Sequence, residues 1–260
     1  DAQGQRGQYA DTVRRAVAFL MQGQDQVNGR FGPAEGNFMY NHGLATLAVA
    51  EAAGFSGDPF LRAAAQKGVE LIERIQGPNG GWCYEDRITG RQDTSVSSWQ
   101  IQALCAAREA GLRVKDETLK KAHEFLCAVT NGKTGLVRYE LQDPLDERAS
   151  LAGAALMLRR MLGEGADSPV LRVVARKVLE GLPRAERDWG KDWDERKAAL
   201  DSLRKRARVF DPYTWYFATY GMFCMGDEGW TAWNQALTAA LMDLQDRDGA
   251  WRGNDKWSVK

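Results

Sequence analysis

Two stretches of the sequence share one pattern, IQGPNGGW at residues 75–82 and LQDRDGAW at residues 244–251. In each, a glutamine follows an amphipathic helical segment, glycine allows a tight turn, and a tryptophan closes the stretch. Glutamine can hydrogen-bond a helix end, and tryptophan can pack between neighbouring helices. Looser versions with glycine and an aromatic residue occur in NGRFG (28–32, with Phe31) and NGKTGLVRY (131–139, with Tyr139). The sequence therefore predicts an internal repeat built around this turn.

Two kinds of helix alternate around these turns. The helices before the turns have apolar residues at i, i+3, i+4 and i+7 with charges opposite, which is typical of surface helices. They are predicted at 10–22, 61–76, 118–129, 169–182 and 231–245. The helices after the turns carry little charge in their middles, which indicates burial on most sides. They are predicted at 43–54, 97–111, 149–163 and 214–226, closed by Gly54, Gly111, Gly163 and Gly226.

This alternation predicts an all-α protein, an α/α toroid of about five helical hairpins, with apolar helices inside and amphipathic helices outside. An open α-solenoid is the rival architecture. We expect residues 1–9 to be a disordered lead and residues 10–257 to form a single toroid domain. A charged excursion is expected at 183–209. After the fifth turn only RGNDKWSVK remains, so either the ring is incomplete or the chain is cut short of its natural end.

Composition excludes several classes of function. Lys+Arg and Asp+Glu both count 35, so the chain lacks the basic footprint of a nucleic-acid binder. No run of 18 apolar residues predicts a membrane span, no signal peptide is visible at the start, and we expect a soluble protein. The four cysteines form no C-x-x-C pair, and we expect buried thiols, which favours a reducing compartment.

The turns resemble the Q-x-x-x-G-x-W repeat of squalene cyclases, through Gln76 with Trp82 and Gln245 with Trp251. Protein prenyltransferase β subunits share that α/α toroid. The stretches FMYNHGLATLAVAEAAG, YTWYFATYGMF and WTAWNQAL are similar to bacterial prenyltransferase/squalene-oxidase repeat proteins, over about residues 10–257. The resemblance implies the toroid fold and, among possible ligands, an apolar isoprenoid.

The segment QDTSVSSWQIQAL (92–104) resembles the inner-helix start that supplies two zinc ligands in prenyltransferases. Asp93 matches the aspartate ligand, but Ser95 replaces the cysteine, and Thr214 stands at the histidine position. Hydroxyl groups are poor zinc ligands, so we predict no metal and no other cofactor. The segment also resembles the acid motif of squalene–hopene cyclases, with Gln92 in place of the proton-donating aspartate. Glutamine cannot protonate an alkene, so that chemistry is not expected.

Candidate site residues follow from the expected convergence of the inner-helix N-termini at one mouth. The catalytic candidates are His42 and Asp93. Structural alternatives remain open: packing or capping for His42, and an N-cap for Asp93. Asp146 and Glu147 can be first-turn charges favoured by the helix dipole. Core packing is the alternative for the aromatics Tyr213, Trp215, Tyr216 and Tyr220. The candidate ligand-binding residues are Tyr40, Asn41, Thr94, Ser95, Trp99, Asp146, Arg148, Tyr213, Trp215 and Tyr216.

Three functions remain open at this point. The chain binds an apolar, isoprenoid-type small molecule at the toroid mouth; it is a protein-interaction or scaffold module; or it is an enzyme of the terpenoid cyclase or transferase type with a divergent active site. The missing zinc ligands and the missing acid favour a non-catalytic or divergent binding domain over an enzyme.

Overall fold

The structure is a computed structural model that describes residues 7–33, 35–183, 212–226 and 228–251. The predicted excursion at 183–209 lies outside the described residues apart from Pro183, as do residues 1–6 of the lead and 252–257 of the expected domain. Helices dominate the described part of the chain. They are α1 (Ala10–Gln22), α2 (Phe38–Ser56), α3 (Pro59–Arg74), α4 (Thr94–Glu109), α5 (Asp116–Val129), α6 (Ala152–Met161), α7 (Pro169–Leu179), α8 (Pro212–Met225) and α9 (Glu228–Leu244).

The all-α prediction is confirmed, with one small addition. A two-stranded antiparallel ladder joins β1 (Val137–Arg138) to β2 (Glu147–Arg148), and a 3-10 turn at Ala149–Leu151 leads into α6. None of the described helices is long and apolar enough to cross a membrane.

The helices form two compact units. The first contains α1 to α5, the β1–β2 ladder and residues Met161–Glu164, and the second contains the rest of α6 together with α7 to α9. In the first unit, α2 packs against α4, while α1, α3 and α5 lie beside them. Helix α4 is buried along nearly its whole length, whereas α1 has no buried residue. The predicted division into apolar inner and amphipathic outer helices therefore holds within this unit.

The turn at 75–82 uses its glutamine and tryptophan as the sequence suggests. Gln76 Nε2 donates to the carbonyl oxygens of Gly80 and Thr118, both at 2.9 Å, and so ties the turn to the next outer helix, α5. The indole of Trp82, 1% exposed, donates to the Ile72 carbonyl in α3 at 2.8 Å. One turn thus links the end of α3 to α5.

The turn at 244–251 repeats the internal bonds. Gln245 Nε2 donates to the Gly249 carbonyl at 2.9 Å, and Trp251 Nε1 donates to the Leu241 carbonyl at 2.8 Å. Trp251 is 44% exposed, however, so this turn keeps its shape without the burial found at Trp82.

The first turn, which follows α1, makes the same glutamine hydrogen bonds as the turn at 75–82, although its sequence matches that turn only loosely. Gln24 Nε2 donates to the Gly29 carbonyl at 3.3 Å and to the Ala64 carbonyl of α3 at 2.9 Å. Sequence analysis matched this turn only through its glycine and Phe31, because Gln24 is one residue further from its glycine than Gln76 is from Gly80.

The third turn corrects the predicted aromatic. Gly135 has positive φ, as Gly29 and Gly80 do, and the buried residue two positions later is Val137 rather than Tyr139. Tyr139 lies two residues beyond the packing position. It therefore faces a different environment from the turn aromatics.

Helix ends also depart from prediction at α2. This helix begins at Phe38, five residues earlier than expected, and continues past Gly54 to a left-handed cap at Gly57. Gly54 instead lies inside the helix, close to Ala110. The other three predicted closing glycines, Gly111, Gly163 and Gly226, have positive φ as expected.

The cysteines are only partly as predicted. Cys83 and Cys105 are buried, and burial raises the pKa of the Cys105 thiol to about 11. Cys224 is half-buried and Cys127 is exposed, so the expectation of buried thiols is wrong for these two. Cys127 lies on the polar side of an outer helix.

Replacing Gly80 with alanine is expected to destabilise the first unit. Gly80 has φ 90°, and a Cβ there would overlap the Lys121 carbonyl of α5. The left-handed conformation alone costs a non-glycine residue about 1–3 kcal/mol. We expect urea unfolding, followed by circular dichroism, to show a loss of at least that size for Gly80→Ala. The control is Gly90→Ala, where a Cβ meets open space; equal losses in both variants would contradict this account of the turn.

Candidate functional site

The candidate site lies where two turns meet the start of α4. The backbone N–H of Asp93 donates to the Trp82 carbonyl at 2.8 Å, and that of Thr94 donates to the Tyr139 carbonyl at 2.8 Å. The Thr94 hydroxyl also donates to the Arg138 carbonyl at 2.7 Å. These bonds hold the segments that follow the second and third turns on either side of the helix start.

Three hydroxyl groups converge at this place: Tyr84, Ser95 and Tyr139. The Tyr84 and Tyr139 oxygens are 2.8 Å apart, and Ser95 Oγ lies 3.3 Å from the first and 3.2 Å from the second. Burial, followed by contact with the Tyr139 hydroxyl and the charge of Asp93, raises the pKa of Tyr84 well above its usual value. The phenol is therefore neutral at ordinary pH. We call Tyr84, Ser95 and Tyr139 the hydroxyl cluster.

Aromatic rings flank the hydroxyl cluster. The ring of Tyr40 in α2 lies parallel to that of Tyr84, with centroids 6.4 Å apart, and meets Trp99 edge-on at 5.7 Å. Burial raises the pKa of Tyr40. Tyr40 and Tyr84 are half-buried, so parts of their rings reach solvent. The arrangement offers apolar surface next to polar atoms.

Two arginines lie beside the cluster, and carboxylates pair with both. Arg91 binds the fully buried Asp93 through both carboxylate oxygens, at 2.8–3.0 Å, and contacts Glu140 at 2.8 Å. The hydrogen bond and charge of Asp93 raise the pKa of Arg91. Arg148 pairs with Asp146 at 2.6 and 2.7 Å.

Arg148 also stacks on a ring of the cluster. Its guanidinium carbon lies 4.0 Å from the centroid of the Tyr139 ring, within the range of a cation–π contact. The backbone N–H of Tyr139 donates to the Asp146 carbonyl at 2.9 Å, which fixes the ladder that presents both residues. Asp146 and Arg148 were expected at the start of an inner helix and instead belong to the β1–β2 hairpin, so the helix-dipole reading of Asp146 is wrong.

Seven of the twelve predicted site residues come together here; of the other five, His42 and Asn41 of the first unit make none of these contacts, and three belong to the second unit. Asn41 is exposed on α2. Tyr213, Trp215 and Tyr216 belong to α8 in the second unit, where Trp215 is buried and Tyr216 is 37% exposed. The predicted residues joined by the contacts above are Tyr40, Asp93, Thr94, Ser95, Trp99, Asp146 and Arg148.

The catalytic candidate His42 has its own network of contacts. Its Nδ1 accepts from the Phe31 N–H at 3.2 Å, and its Nε2 lies 3.2 Å from the Gly68 carbonyl and 3.4 Å from the Thr46 hydroxyl. Its ring also stacks on Phe38 at 5.5 Å. Both ring nitrogens thus connect the first turn to α3, which favours the packing interpretation; a catalytic role stays a prediction that these contacts do not support.

Asp93 is not an N-cap through its side chain. Its carboxylate makes no bond to the first turn of α4 and binds Arg91 instead. The same pairing makes Asp93 unsuitable as a zinc ligand of the prenyltransferase type. Both of its oxygens accept from Arg91, and Ser95 Oγ lies between two phenol hydroxyls, so these residues do not fit a zinc ion.

Sequence reading missed Tyr84, Arg91 and Glu140 and assigned Tyr139 to the turn itself. A signal was present, because Tyr84 and Tyr139 each lie two residues after the packing position of their turn. Aligning the turns on Gly80 and Gly135 would have placed the two tyrosines at one register. The ion pair of Arg91 with Glu140 follows from no spacing or repeat in the sequence, so it could not be predicted in the same way.

No model of a protein family matches the chain, and no curated protein matches it. Among solved structures, a UGL variant with dGlcA-Glc-Rha-Glc is similar, with a TM-score of 0.51 and 14% identity. The match covers 68% of this chain and 58% of that one, so the chain spans less than two thirds of that structure's length. At this identity the likeness shows the fold alone.

Two further structures match over most of the chain. One is a protein from Actinoplanes, with a TM-score of 0.46 and 17% identity, covering 93% of this chain and 82% of that one. The other is a variant of the type II terpene cyclase MstE from Scytonema in complex with its substrate, geranylgeranyl dihydroxybenzoate. Its TM-score is 0.44 at 16% identity, with 94% of this chain and 81% of that one covered.

The predicted all-α class is confirmed in the part of the chain that the structure describes, and the match at a TM-score of 0.51 is a likeness of fold. Function has to be argued from the site itself.

The buried imidazole of His42 makes stability depend on pH. Burial lowers the pKa of His42 from 6.5 to about 4, so between these pH values the imidazole is protonated in the unfolded chain but not in the folded chain. The stability that depends on neutral His42 is therefore fully present above pH 6.5 and decreases as the pH falls toward 4. From pH 7 to pH 5 we expect His42 to account for a loss of about 2 kcal/mol in the free energy of unfolding.

Urea unfolding at the two pH values measures this loss. His42→Gln should show a clearly smaller drop than the wild type, whatever its stability at pH 7. A wild-type pH dependence that persists unchanged in His42→Gln would show that another group is responsible.

Proposed function

We propose that this chain binds a small molecule with an apolar, isoprenoid-type body and one neutral oxygen-bearing end, and that it binds without catalysing a reaction. The observation that supports this most is the hydroxyl cluster beside the rings of Tyr40 and Trp99. Binding sites for small molecules commonly combine apolar walls with a few polar groups that fix orientation.

The polar end of the ligand is expected to be neutral. The three hydroxyls supply donors and acceptors but no charge, since burial keeps the Tyr84 phenol protonated. Arg91 and Arg148 are each engaged by a carboxylate. A hydroxyl or carbonyl oxygen therefore suits the cluster, whereas a diphosphate would have to break these pairs.

The same contacts argue against acid catalysis of the cyclase kind. An acid that protonates an alkene must hold a transferable proton. Asp93 is fully buried, and both of its carboxylate oxygens already accept hydrogen bonds from Arg91. Burial raises the pKa values of Tyr84 and Tyr40, so these two phenols hold their protons too strongly to take this role. A divergent enzyme would need another group, so the enzyme alternative has less support than binding.

The protein-interaction alternative rests on a different observation. Helix α8 carries three exposed aromatics in the second unit, namely Tyr216, Tyr220 and Phe223, which are 37%, 51% and 62% exposed. Exposed apolar surface of this kind is typical of protein contacts. This function predicts that Tyr220→Ser with Phe223→Ser abolishes a protein partner's binding and leaves small-molecule binding unchanged.

Isothermal titration calorimetry with the C15 alcohol farnesol tests the proposed ligand class. We expect farnesol to bind the wild type and the hydrocarbon farnesane, which lacks the hydroxyl, to bind more weakly. Farnesyl diphosphate should bind no more tightly than farnesol, because the site offers no free positive charge for the diphosphate. Tyr84→Phe with Tyr139→Phe removes two hydroxyls and should weaken farnesol binding by about thirtyfold, since two hydrogen bonds of about 1 kcal/mol each contribute about 2 kcal/mol together.

Tyr9→Phe serves as the matched control, because Tyr9 is 67% exposed at the start of α1. It should bind farnesol like the wild type. Absence of farnesol binding, or equal weakening in the control, would contradict the proposal. Tighter binding of farnesyl diphosphate than of farnesol would contradict the proposal that the polar end of the ligand is neutral.

A further inference from the structure

A second group of reactive side chains lies apart from the hydroxyl cluster, on the outer helix α5. His123 and Cys127 are four residues apart and therefore share one face of this helix. Glu164, three residues after the end of α6, comes to the same place.

The donor atoms of these residues lie close together. His123 Nε2 is 3.1 Å from Glu164 Oε2, and Cys127 Sγ is 3.8 Å and 3.9 Å from the two ring nitrogens. One donor atom from each residue lies within 4.8 Å of the others. We propose that His123, Cys127 and Glu164 form a Zn²⁺ site.

The distances suit tetrahedral zinc. Zinc binds sulfur at about 2.3 Å and nitrogen or oxygen at about 2.0–2.2 Å, which sets donor atoms about 3.4–3.6 Å apart. The observed separations of 3.1 and 3.9 Å fall on either side of this range. Small rotations of the side chains close the site around an ion, and Cys127 is exposed and therefore has room to turn.

The chemistry of the donors also selects zinc. A thiolate and a carboxylate together carry two negative charges, and neutral imidazole adds none, so bound Zn²⁺ gives a neutral site. Mixed sulfur, nitrogen and oxygen ligands suit zinc, whereas magnesium and calcium prefer oxygen alone. Three protein ligands leave the fourth position for water or a second molecule.

Solvent can reach the site. His123 also lines an open cavity of about 450 Å³. The other charged residues of that cavity are two cations, Arg108 and Lys120, and two anions, Asp116 and Glu124, so they add no net charge. A metal ion can therefore enter without opening the core. The site does not include Asp93, Ser95 or Thr214 and does not depend on the proposed ligand of the hydroxyl cluster.

Metal titration of the full chain, freed of metal with a chelator and desalted, tests the site. Zn²⁺ should bind in a ratio of one to one. Co²⁺ used as a probe should produce an absorption band from its bond to sulfur. Cys127→Ser should abolish that band and weaken Zn²⁺ binding by at least about tenfold, since the thiolate is the softest of the three ligands. His123→Gln and Glu164→Gln should weaken Zn²⁺ binding as well.

The matched control is Cys224→Ser, which changes a half-buried thiol elsewhere and should keep both the cobalt band and the zinc affinity. Histidine NMR gives an independent readout, because the chain has two histidines. Zn²⁺ should shift the ring signals of His123 and leave those of the buried His42 in place. Circular dichroism of each variant establishes that it folds.

Loss of zinc binding in Cys127→Ser but not in Cys224→Ser, with a shift at His123, supports the site. A cobalt band that survives in Cys127→Ser, an unchanged His123 signal, or zinc bound equally by every variant would overturn it. In that case His123 and Glu164 form a hydrogen-bonded pair and nothing more.

Discussion

The repeat depends on one constraint, the anchoring of each turn to the next outer helix. At the second turn, Gln76 bonds its own turn and the Thr118 carbonyl of α5, while Gly80 approaches the backbone of that same helix closely enough to exclude any side chain. A primary amide can satisfy two backbone carbonyls that would otherwise be buried without partners. The turn therefore sets both the spacing of neighbouring hairpins and the direction in which the chain enters the following inner helix.

The candidate site is a consequence of that geometry. Because the second and third turns place their packing residues alike, the tyrosines two positions later, Tyr84 and Tyr139, reach the same point beside the start of α4. Ser95, in the first turn of α4, completes the group with its hydroxyl. In the proposed function the repeat therefore supplies the ligand site as well as the fold, and the ion pairs of Arg91 and Arg148 hold the surrounding segments.

Charge separates the two proposed sites. At the hydroxyl cluster, Asp93 and Asp146 are each engaged by an arginine, which leaves neutral phenols as the groups that meet a ligand. The proposed zinc ligands, two on α5 and Glu164 after α6, combine charged donors with access to solvent. A polar but neutral group suits an oxygen-bearing apolar molecule, whereas an anionic donor set suits a cation.

The sequence by itself determined the all-α class, the alternation of inner and outer helices and the role of the turns, because these depend on local periodicity and on residues within one turn. It also indicated Tyr40, Asp93, Ser95 and Trp99 through their places at helix starts. The tertiary structure alone decided which side chains meet: Tyr84 with Tyr139, and His123 with a glutamate 41 positions away. Such contacts depend on how hairpins stack in space, and hydrophobic periodicity carries no record of partners so distant along the chain.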